Sequence, residues 1–298
     1  MRRRVRLQSL AVLAGVLLTS ASSAAPVPAG PYRVLQLNVC GNARNPECGV
    51  EGSTGAPVDA LVDLVVGLRP DVVALQEVCG SQVDALAERA SARGWPMRAV
   101  FVPVWSGPDL RCRDEVQGDA LLSARPLTDV AVRCLARCDR PVSAVERRNV
   151  VCGTTVLRVA TRVCVTHVGR RSLQAEVAGV VAFLDPDVRR MPVVLAGDLN
   201  TAPFAQVLDP LYASGAPGSR GRFDEADACA TRRTMTATCN VGTLDAPGAN
   251  VKLDYVFATR GDFSRLRART IRMAWSDHDA LLAELEGCPT RSCRPAQP

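Results

Sequence analysis

The sequence has 298 residues, 47% of them hydrophobic, and a formal net charge of +6 at pH 7. This length fits one large domain or two small ones, and the hydrophobic fraction is ample for a sizeable core. Four arginines lie within the first six residues, and without them the charge is only +2. Such a weak charge argues against a strongly basic surface that captures polyanions.

Residues 1–24 have the pattern of a secretory signal peptide. A basic head precedes the apolar stretch 10–18, which is too short to span a bilayer, and Ser22-Ser23-Ala24 supplies small residues for cleavage. We therefore expect a secreted, extracellular protein that is cut after Ala24, exported by the general route or by the twin-arginine route. No later segment approaches the roughly 18 apolar residues of a transmembrane helix.

The rest of the chain alternates irregularly between predicted strands and helices. In chain order we predict a strand over 32–38, a helix over 58–68, a strand over 71–77, a helix over 81–94, strands over 97–105, 120–123, 150–157 and 162–167, a helix over 172–185, and strands over 192–196, 251–258 and 279–286. Because strict strand-helix-strand alternation is lacking, we expect mostly antiparallel sheets with helices outside. One domain should span 25–288, followed by an irregular tail over 289–298.

All twelve cysteines follow the leader. An even number of cysteines in an exported chain predicts a disulfide framework. Pairing between sequence neighbours is the simplest hypothesis: 40–48, 79–112, 134–138, 152–164, 229–239 and 288–293. Each short loop closed in this way should stabilise the fold by about 2–3 kcal/mol.

Six short polar clusters lie at the ends of predicted strands, and they contain both histidines of the chain. The clusters are 37–38, 76–77, 166–167, 197–200, 253–255 and 276–278. Together they offer a carboxylate for a metal ion, an Asp-His pair, and amide or imidazole donors. These are the groups that hydrolysis of a phosphate ester requires.

The individual clusters also have plainer interpretations. Asp198 and Asn200 are two residues apart, so an extended chain would place both on one side, but the same residues suit a turn before a helix. Glu77 ends an apolar strand, where a carboxylate is costly unless it is paired or binds a cation such as Mg²⁺, yet it could be a surface residue. His278 beside Asp277 could be an oriented acid/base group or a structural histidine.

In their order, the clusters resemble the motifs of the endonuclease/exonuclease/phosphatase superfamily, in particular the branch of pancreatic deoxyribonuclease and bacterial sphingomyelinases. The matching pieces span roughly 32–286 and read LQLN, ALQE, GDALLS, VTHVG, AGDLNTAP, KLDYVF and SDH. The resemblance implies a four-layered α/β sandwich with two facing, mostly antiparallel β-sheets flanked by helices. It also implies metal-dependent attack of water on a phosphate ester, with Mg²⁺, or Mn²⁺ or Ca²⁺, as cofactor.

The resemblance also implies roles for individual residues in the reaction. Asp198 would activate or orient the attacking water, and Asn200 would hold that water or the phosphate. His278, oriented by Asp254, and His167 would contact the phosphate and serve as acid/base groups.

For the metal, the resemblance implies Glu77 as the main ligand, with Asn38 close by. Asp277 would either contact the ion directly or contact one of its ligands. Position 40 is Cys, where apurinic-site endonucleases of the exonuclease III type usually have Asp, which disfavours that branch. Asp119 stands where many relatives have Asn and is a further candidate site residue.

The substrate is left open between several phosphate esters. A nuclease that acts as a monomer on extracellular nucleic acid is our first hypothesis, although aromatic residues for stacking bases are scarce at 4%. A sphingomyelinase-type phospholipid phosphodiesterase, which would contact membrane lipid, and a phosphomonoesterase are the alternatives. A secreted binding protein without activity is disfavoured because the implied catalytic residues are all present.

Overall fold

The computed structural model describes residues 30–40, 56–106, 116–213, 219–227, 244–246 and 249–288. The predicted leader 1–24 and tail 289–298 lie outside these ranges. Within the described residues, no helix is long and apolar enough to cross a membrane.

Fourteen strands and three α-helices form the described structure. The strands are β1 (Tyr32–Asn38), β2 (Val72–Cys79), β3 (Arg98–Trp105), β4 (Gln117–Ser123), β5 (Thr128–Ala136), β6 (Arg148–Val156), β7 (Ala160–His167), β8 (Val193–Asp198), β9 (Phe223–Glu225), β10 (Leu244–Ala246), β11 (Ala249–Val251), β12 (Asp254–Thr259), β13 (Phe263–Ile271) and β14 (Ala280–Gly287). The helices are α1 (Ala56–Leu68), α2 (Gly80–Ala92) and α3 (Leu173–Val188), with a short 3₁₀ turn at Gln206–Leu208.

Two six-stranded sheets face each other and carry the helices on their outer sides. The first sheet has the order β13-β14-β1-β2-β4-β3, and the second has the order β5-β6-β7-β8-β12-β9. Only the pairs β1–β2 and β7–β8 are parallel among these neighbours. The predicted four-layered sandwich with mostly antiparallel sheets is confirmed.

Three apolar clusters hold the four layers together. Residues of both sheets, including Val34, Leu121, Val163 and Val194, form the core between the sheets. The core between the first sheet and helices α1 and α2 is a second cluster, and the core between the second sheet and α3 is a third. Strands buried on both faces explain why their sequences read as nearly continuous apolar runs.

The sequence did not predict three of the four edge strands, β5, β9 and β13. In β13, Arg265, Arg267 and Arg269 alternate with smaller residues, and much of the strand is exposed. Charged, alternating strands at sheet edges bury little apolar surface, so they lack the apolar density that marked the central strands. The predicted strand over 251–258 is wrong at its start, because Val251 belongs to β11 and β12 begins only at Asp254.

Two of the predicted disulfides are confirmed within the described residues. Cys134 is bonded to Cys138 and Cys152 to Cys164. Cys40, Cys79 and Cys288 are also disulfide-bonded. Their predicted partners 48, 112 and 293, and the whole predicted pair 229–239, lie outside the described residues.

Gly197 in β8 permits the close approach of β7. A Cβ atom at this position would lie 2.2 Å from the backbone oxygen of Thr166. We expect Gly197→Ala to force these two strands apart and to lower the free energy of unfolding by about 1–3 kcal/mol, as measured by urea denaturation.

Gly67→Ala is the matched control for this substitution. Gly67 lies in α1, and a Cβ atom there would meet nothing within 4 Å. Because alanine favours a helix over glycine, the control should gain up to about 1 kcal/mol. Equal stability of Gly197→Ala and the parent would contradict the packing argument.

Candidate active site

Strand ends from both sheets meet at one edge of the sandwich. β1 and β2 run parallel, so Asn38 lies next to the end of β2. In the other sheet, β7 and β8 run parallel and place His167 beside Asp198, while β12 runs the opposite way and begins with Asp254 beside Asp198. Antiparallel pairing of β14 with β1 brings residues 276–278 to the same edge.

Asp198 is the buried carboxylate at the centre of this edge. Its Oδ2 accepts a hydrogen bond from Nδ2 of Asn38 at 3.1 Å and lies 3.5 Å from Nε2 of His167 and 3.8 Å from Nε2 of His278. Its Oδ1 accepts the backbone N–H of Asn200 at 2.8 Å. Burial raises the pKa of Asp198 to about 6, against the opposing charge of His278.

His278 is fixed by a chain of buried polar side chains. Its Nδ1 lies 2.7 Å from Oδ2 of Asp254, and Nε2 of Gln36 donates to the other oxygen of that carboxylate at 3.1 Å. Gln36 in turn exchanges hydrogen bonds with Gln76 on the neighbouring strand. Burial alone lowers the pKa of His278, but the charge and hydrogen bond of Asp254 outweigh burial and raise it to about 10. The imidazole is therefore a cation at neutral pH.

Asp254 is also held through its backbone by Lys252. Nζ of Lys252 donates to the carbonyl oxygen of Asp254 at 3.0 Å and forms an ion pair with Glu225 at 2.9 Å. Lys252 is only 3% exposed. This buried ion pair joins the start of β12 to β9.

Glu77 lies in a bulge of β2. Its φ of 52° is in the left-handed region, and the pairing of β2 with β4 shifts between Leu75 and Val78. Nδ2 of Asn38 donates to Oε1 of Glu77 at 3.3 Å. Burial, together with the negative charge of Glu146, raises the pKa of Glu77 to about 7. The bulge thus directs the buried carboxylate of Glu77, whose burial costs free energy, toward Asn38 and the site.

Asp119 lies in β4 opposite this bulge. It is 1% exposed, and neither of its carboxylate oxygens has a hydrogen bond within the described part of the chain. Burial raises the pKa of Asp119 well above its usual value; Arg148 opposes this shift, and Glu146 and Glu77 add to it.

His167 and Asn200 form the second half of the site. Nδ2 of Asn200 lies 3.1 Å from Nε2 of His167 and donates to the carbonyl oxygen of Val168 at 2.8 Å, while Nε of Arg170 donates to Oδ1 of Asn200 at 3.0 Å. Burial lowers the pKa of His167 well below its usual value, and the charge of Arg148 lowers it further. The imidazole of His167 is therefore neutral.

A cavity of about 600 Å³ opens beside these residues. Glu77, His167 and Asn200 form its inner wall. Four arginines contribute to the lining: Arg137, Arg148, Arg170 and Arg171. The two other acids that line it already have partners, since Glu146 forms an ion pair with Arg148 at 2.8 Å and Glu176 accepts a hydrogen bond from the hydroxyl of Ser172 at 2.7 Å.

The donor set fits a hard divalent cation. Such ions prefer carboxylate oxygens, and buried carboxylates without hydrogen bonds, as at Asp119, need a positive charge nearby. Asp198, Asp254 and His278 offer atoms within 4.8 Å of one another. Nδ1 of His278 and Oδ2 of Asp254, however, are hydrogen-bonded to each other. Glu77 accepts a hydrogen bond only from Asn38 among the described contacts, so its carboxylate has more free oxygen lone pairs for an ion.

The structure brings every residue of the predicted site to this edge. Asp277 is the most peripheral, with Oδ1 4.0 Å from Nε2 of His278. Asn38 turns its amide nitrogen toward Glu77 and Asp198, while its Oδ1 accepts the backbone N–H of Cys40. Asn38 thus serves here as a donor to two carboxylates.

Sequence reasoning missed the groups that support the site. Gln36 is two residues from Asn38 in β1, so the alternation of a strand was a signal that both point to the same face. Ser276 belongs to the predicted cluster 276–278 but was given no role there, and its hydroxyl donates to the carbonyl oxygen of Asn38 at 2.8 Å. Arg148, which the sequence analysis did not assign to the site, has a side chain only 15% exposed and lines the cavity.

Several solved structures share this fold at low sequence identity. The human Nocturnin catalytic domain with bound sulfate is 19% identical, with a TM-score of 0.64, over 87% of this chain and 94% of that chain. Truncated Caenorhabditis elegans TDP2 is 17% identical, with a TM-score of 0.58, over 86% and 97%. A mannosyl-6-phosphatase of Bacteroides thetaiotaomicron is 13% identical, with a TM-score of 0.59, over 85% and 99%.

No curated protein sequence matches the chain significantly. The profile of the Endonuclease/Exonuclease/phosphatase family, in contrast, matches residues 35–278, which include every residue of the site described above. The chain therefore belongs to the endonuclease/exonuclease/phosphatase family, whose members are divalent-metal-dependent hydrolases of phosphate esters.

Proposed function

We propose that the protein is a secreted, monomeric phosphodiesterase that cleaves extracellular nucleic acid with the help of a divalent cation such as Mg²⁺. The proposal rests on one observation, which is that a buried acid and a charged imidazole lie close to an arginine-lined cavity. Asp198 and the protonated His278 lie together at the sandwich edge, and the arginine-lined cavity opens at His167 and Asn200, which contact Asp198. Secretion is supported by the leader pattern of residues 1–24 and by the disulfides.

In this mechanism Asp198 accepts the proton of the attacking water. Its carboxylate is ionised above a pH of about 6, and hydrogen bonds from Asn38 and the backbone of Asn200 hold it in one orientation. The side chain of Asn200 positions the water or a phosphoryl oxygen. A base held in place in this way contributes about 10²–10⁴-fold to the rate.

The two histidines have different roles because their charges differ. His278 is an imidazolium, kept charged by Asp254, and its Nε2 can donate a hydrogen bond to a phosphoryl oxygen as negative charge accumulates there. His167 is neutral and contributes hydrogen bonding without charge. Asp254 acts by fixing the orientation and proton of His278.

Glu77 would hold the divalent cation, with Asp277 near it and Asn38 restraining the Glu77 carboxylate. When bound, the cation polarises a phosphoryl oxygen and offsets the charge of the transition state.

The cavity favours a nucleic acid over the other substrates. A polynucleotide presents phosphates on both sides of the scissile bond, which arginines can bind, whereas a phosphomonoester presents only one. Phe204, in the loop after Asn200, is 64% exposed and offers a face for stacking a base.

The lipid alternative is less well supported. The apolar segment around Phe101 and Val102, a candidate for membrane contact, lies in β3 and packs against the two neighbouring cores. A phosphomonoesterase remains the second candidate, since a phosphatase shares the fold.

Removal of the central acid or of the charged imidazole should abolish activity without unfolding the protein. We expect Asp198→Ala and His278→Ala each to lower kcat on plasmid DNA by at least about 100-fold, with circular dichroism spectra like that of the parent. Asp185→Ala, which removes an exposed helical ion pair, is the control and should keep full activity. Near-parental hydrolysis by either site variant would refute the assigned roles.

Metal removal should abolish hydrolysis reversibly. After treatment with EDTA we expect no cleavage of DNA or of bis(p-nitrophenyl) phosphate, and Mg²⁺ or Mn²⁺ should restore it. Glu77→Gln should remain at least about 100-fold less active even with added metal, equivalent to a loss of roughly 2.7 kcal/mol of transition-state stabilisation. Activity that persists in EDTA would rule out the metal-dependent mechanism.

The arginines of the cavity should matter for polymers and not for small diesters. We expect Arg171→Ala to raise KM for DNA several-fold and to reduce the slope of log affinity against log salt by roughly one. Its KM for bis(p-nitrophenyl) phosphate should be unchanged. Arg265→Ala, an exposed arginine of β13 paired with Glu286, is the control.

Assays on four substrates separate the candidate functions. Plasmid DNA, RNA, sphingomyelin and mannose 6-phosphate would be incubated with equal amounts of protein. Cleavage of sphingomyelin or mannose 6-phosphate without cleavage of either nucleic acid would overturn the nuclease proposal.

A further inference from the structure

Asp119 lies directly across from the bulge that presents Glu77. On β2 and β4, Leu75 pairs with Ala120 and Val78 pairs with Gly118, so Gln76 and Glu77 together stand opposite the single residue Asp119. In such a bulge the strand with the extra residue bends locally and re-aims its side chains.

The side chain of Asp119 points between the two sheets. Ala120 and Leu122 pack into the core on the helix side of the first sheet, whereas Leu121 packs into the core between the sheets. Because side chains alternate along a strand, Asp119 has the orientation of Leu121. It therefore enters the space between the sheets at the end where the site lies.

This carboxylate has no compensation from hydrogen bonds. It is 1% exposed, and both of its oxygens are without a hydrogen-bond partner among the described residues. Buried carboxylates in proteins are paired, hydrogen-bonded or bound to metal ions, because the cost of desolvating an isolated charge is large.

The charged groups around Asp119 supply only part of this compensation. Glu77, Glu146 and Asp198 are all negative and act against its ionisation, and Arg148 is the one positive group among its strongest neighbours. The guanidinium of Arg148 is already paired with Glu146 at 2.8 Å. A cation placed between Asp119 and Glu77 would balance both carboxylates at once.

We propose that Asp119 is the second carboxylate of the cation site, binding the divalent ion of Glu77 directly or through one coordinated water. Mg²⁺ sites in proteins commonly use one or two carboxylates and keep several waters. The inference rests on the proposed metal-dependent function and adds a ligand to it. An asparagine at this position would lack the charge, so Asp119 makes the cation site of this chain more negative.

Calorimetric titration with Mn²⁺ tests this proposal without relying on catalysis. We expect Asp119→Asn to bind Mn²⁺ about 10- to 100-fold more weakly than the parent. Its melting temperature without metal should equal or exceed that of the parent, because a carboxamide is cheaper to bury than a carboxylate. Glu77→Gln serves as the reference for loss of the main ligand.

Asp71→Asn is the matched control. Asp71 is a buried aspartate just before β2, at the opposite end of that strand from Glu77, and it accepts the backbone N–H of Arg33. We expect this variant to keep the parental affinity for Mn²⁺.

Several outcomes would overturn the proposal. Parental Mn²⁺ affinity in Asp119→Asn excludes a ligand role, and a lower melting temperature with unchanged affinity identifies Asp119 as a structural partner of Arg148. A parent that binds no Mn²⁺ contradicts the metal-dependent function as well. Weak binding by Glu77→Gln alone would leave that function intact while refuting the role of Asp119.

Anomalous scattering from a parent crystal soaked in Mn²⁺ gives an answer that does not depend on whether a variant folds. The proposal predicts an ion about 2 Å from an Asp119 oxygen, or about 4 Å away when one water intervenes. An ion bound at Glu77 but farther than this from Asp119 would overturn it.

Discussion

The whole site depends on keeping the carboxylate of Asp198 buried and still usable. An ionised carboxylate loses its hydration at this depth, and hydrogen bonds from the protein must replace that hydration. Asn38 supplies one bond from the first sheet, the backbone of Asn200 supplies another, and the charge of His278 favours the ionised form. Because these donors come from both sheets, the packing of one sheet on the other decides whether the carboxylate can act as a base.

Negative charge at this edge is distributed in two groups. Asp254 and Asp198 are balanced mainly by the imidazolium of His278. Glu77 and Asp119 stand across a bulge with little compensation from the protein. In the proposed mechanism this asymmetry separates two tasks, since the first group would handle protons and the second would attract a cation. The arginines of the adjacent cavity can then attract the phosphates of the substrate.

The sequence predicted the central strands, and it singled out the polar residues that the fold brings together at one edge, because both left strong local signals. Buried strands such as β8 are continuous apolar runs, and polar residues at their ends are conspicuous, as with Asp198 and Asn200. The edge strands β5 and β13 were not predicted because a strand that packs on one side only has a weak apolar pattern. The lack of hydrogen bonds at Asp119 and the ion pair of Arg148 with Glu146 depend on which strands of the two sheets face each other. A local sequence pattern carries no information about that arrangement.

Lys252 is the only lysine in the sequence, and it lies buried beneath the first residue of β12. A reagent that acylates side-chain amines therefore has one target, and a protease that cuts only after lysine has one cleavage site. Both are shielded while the Lys252 amine is bound to Glu225 and to the carbonyl oxygen of Asp254. The rate at which Lys252 reacts would report how often the contacts between β9 and the start of β12 open. The native chain thus contains a built-in chemical reporter of local opening there, with no need to introduce a label.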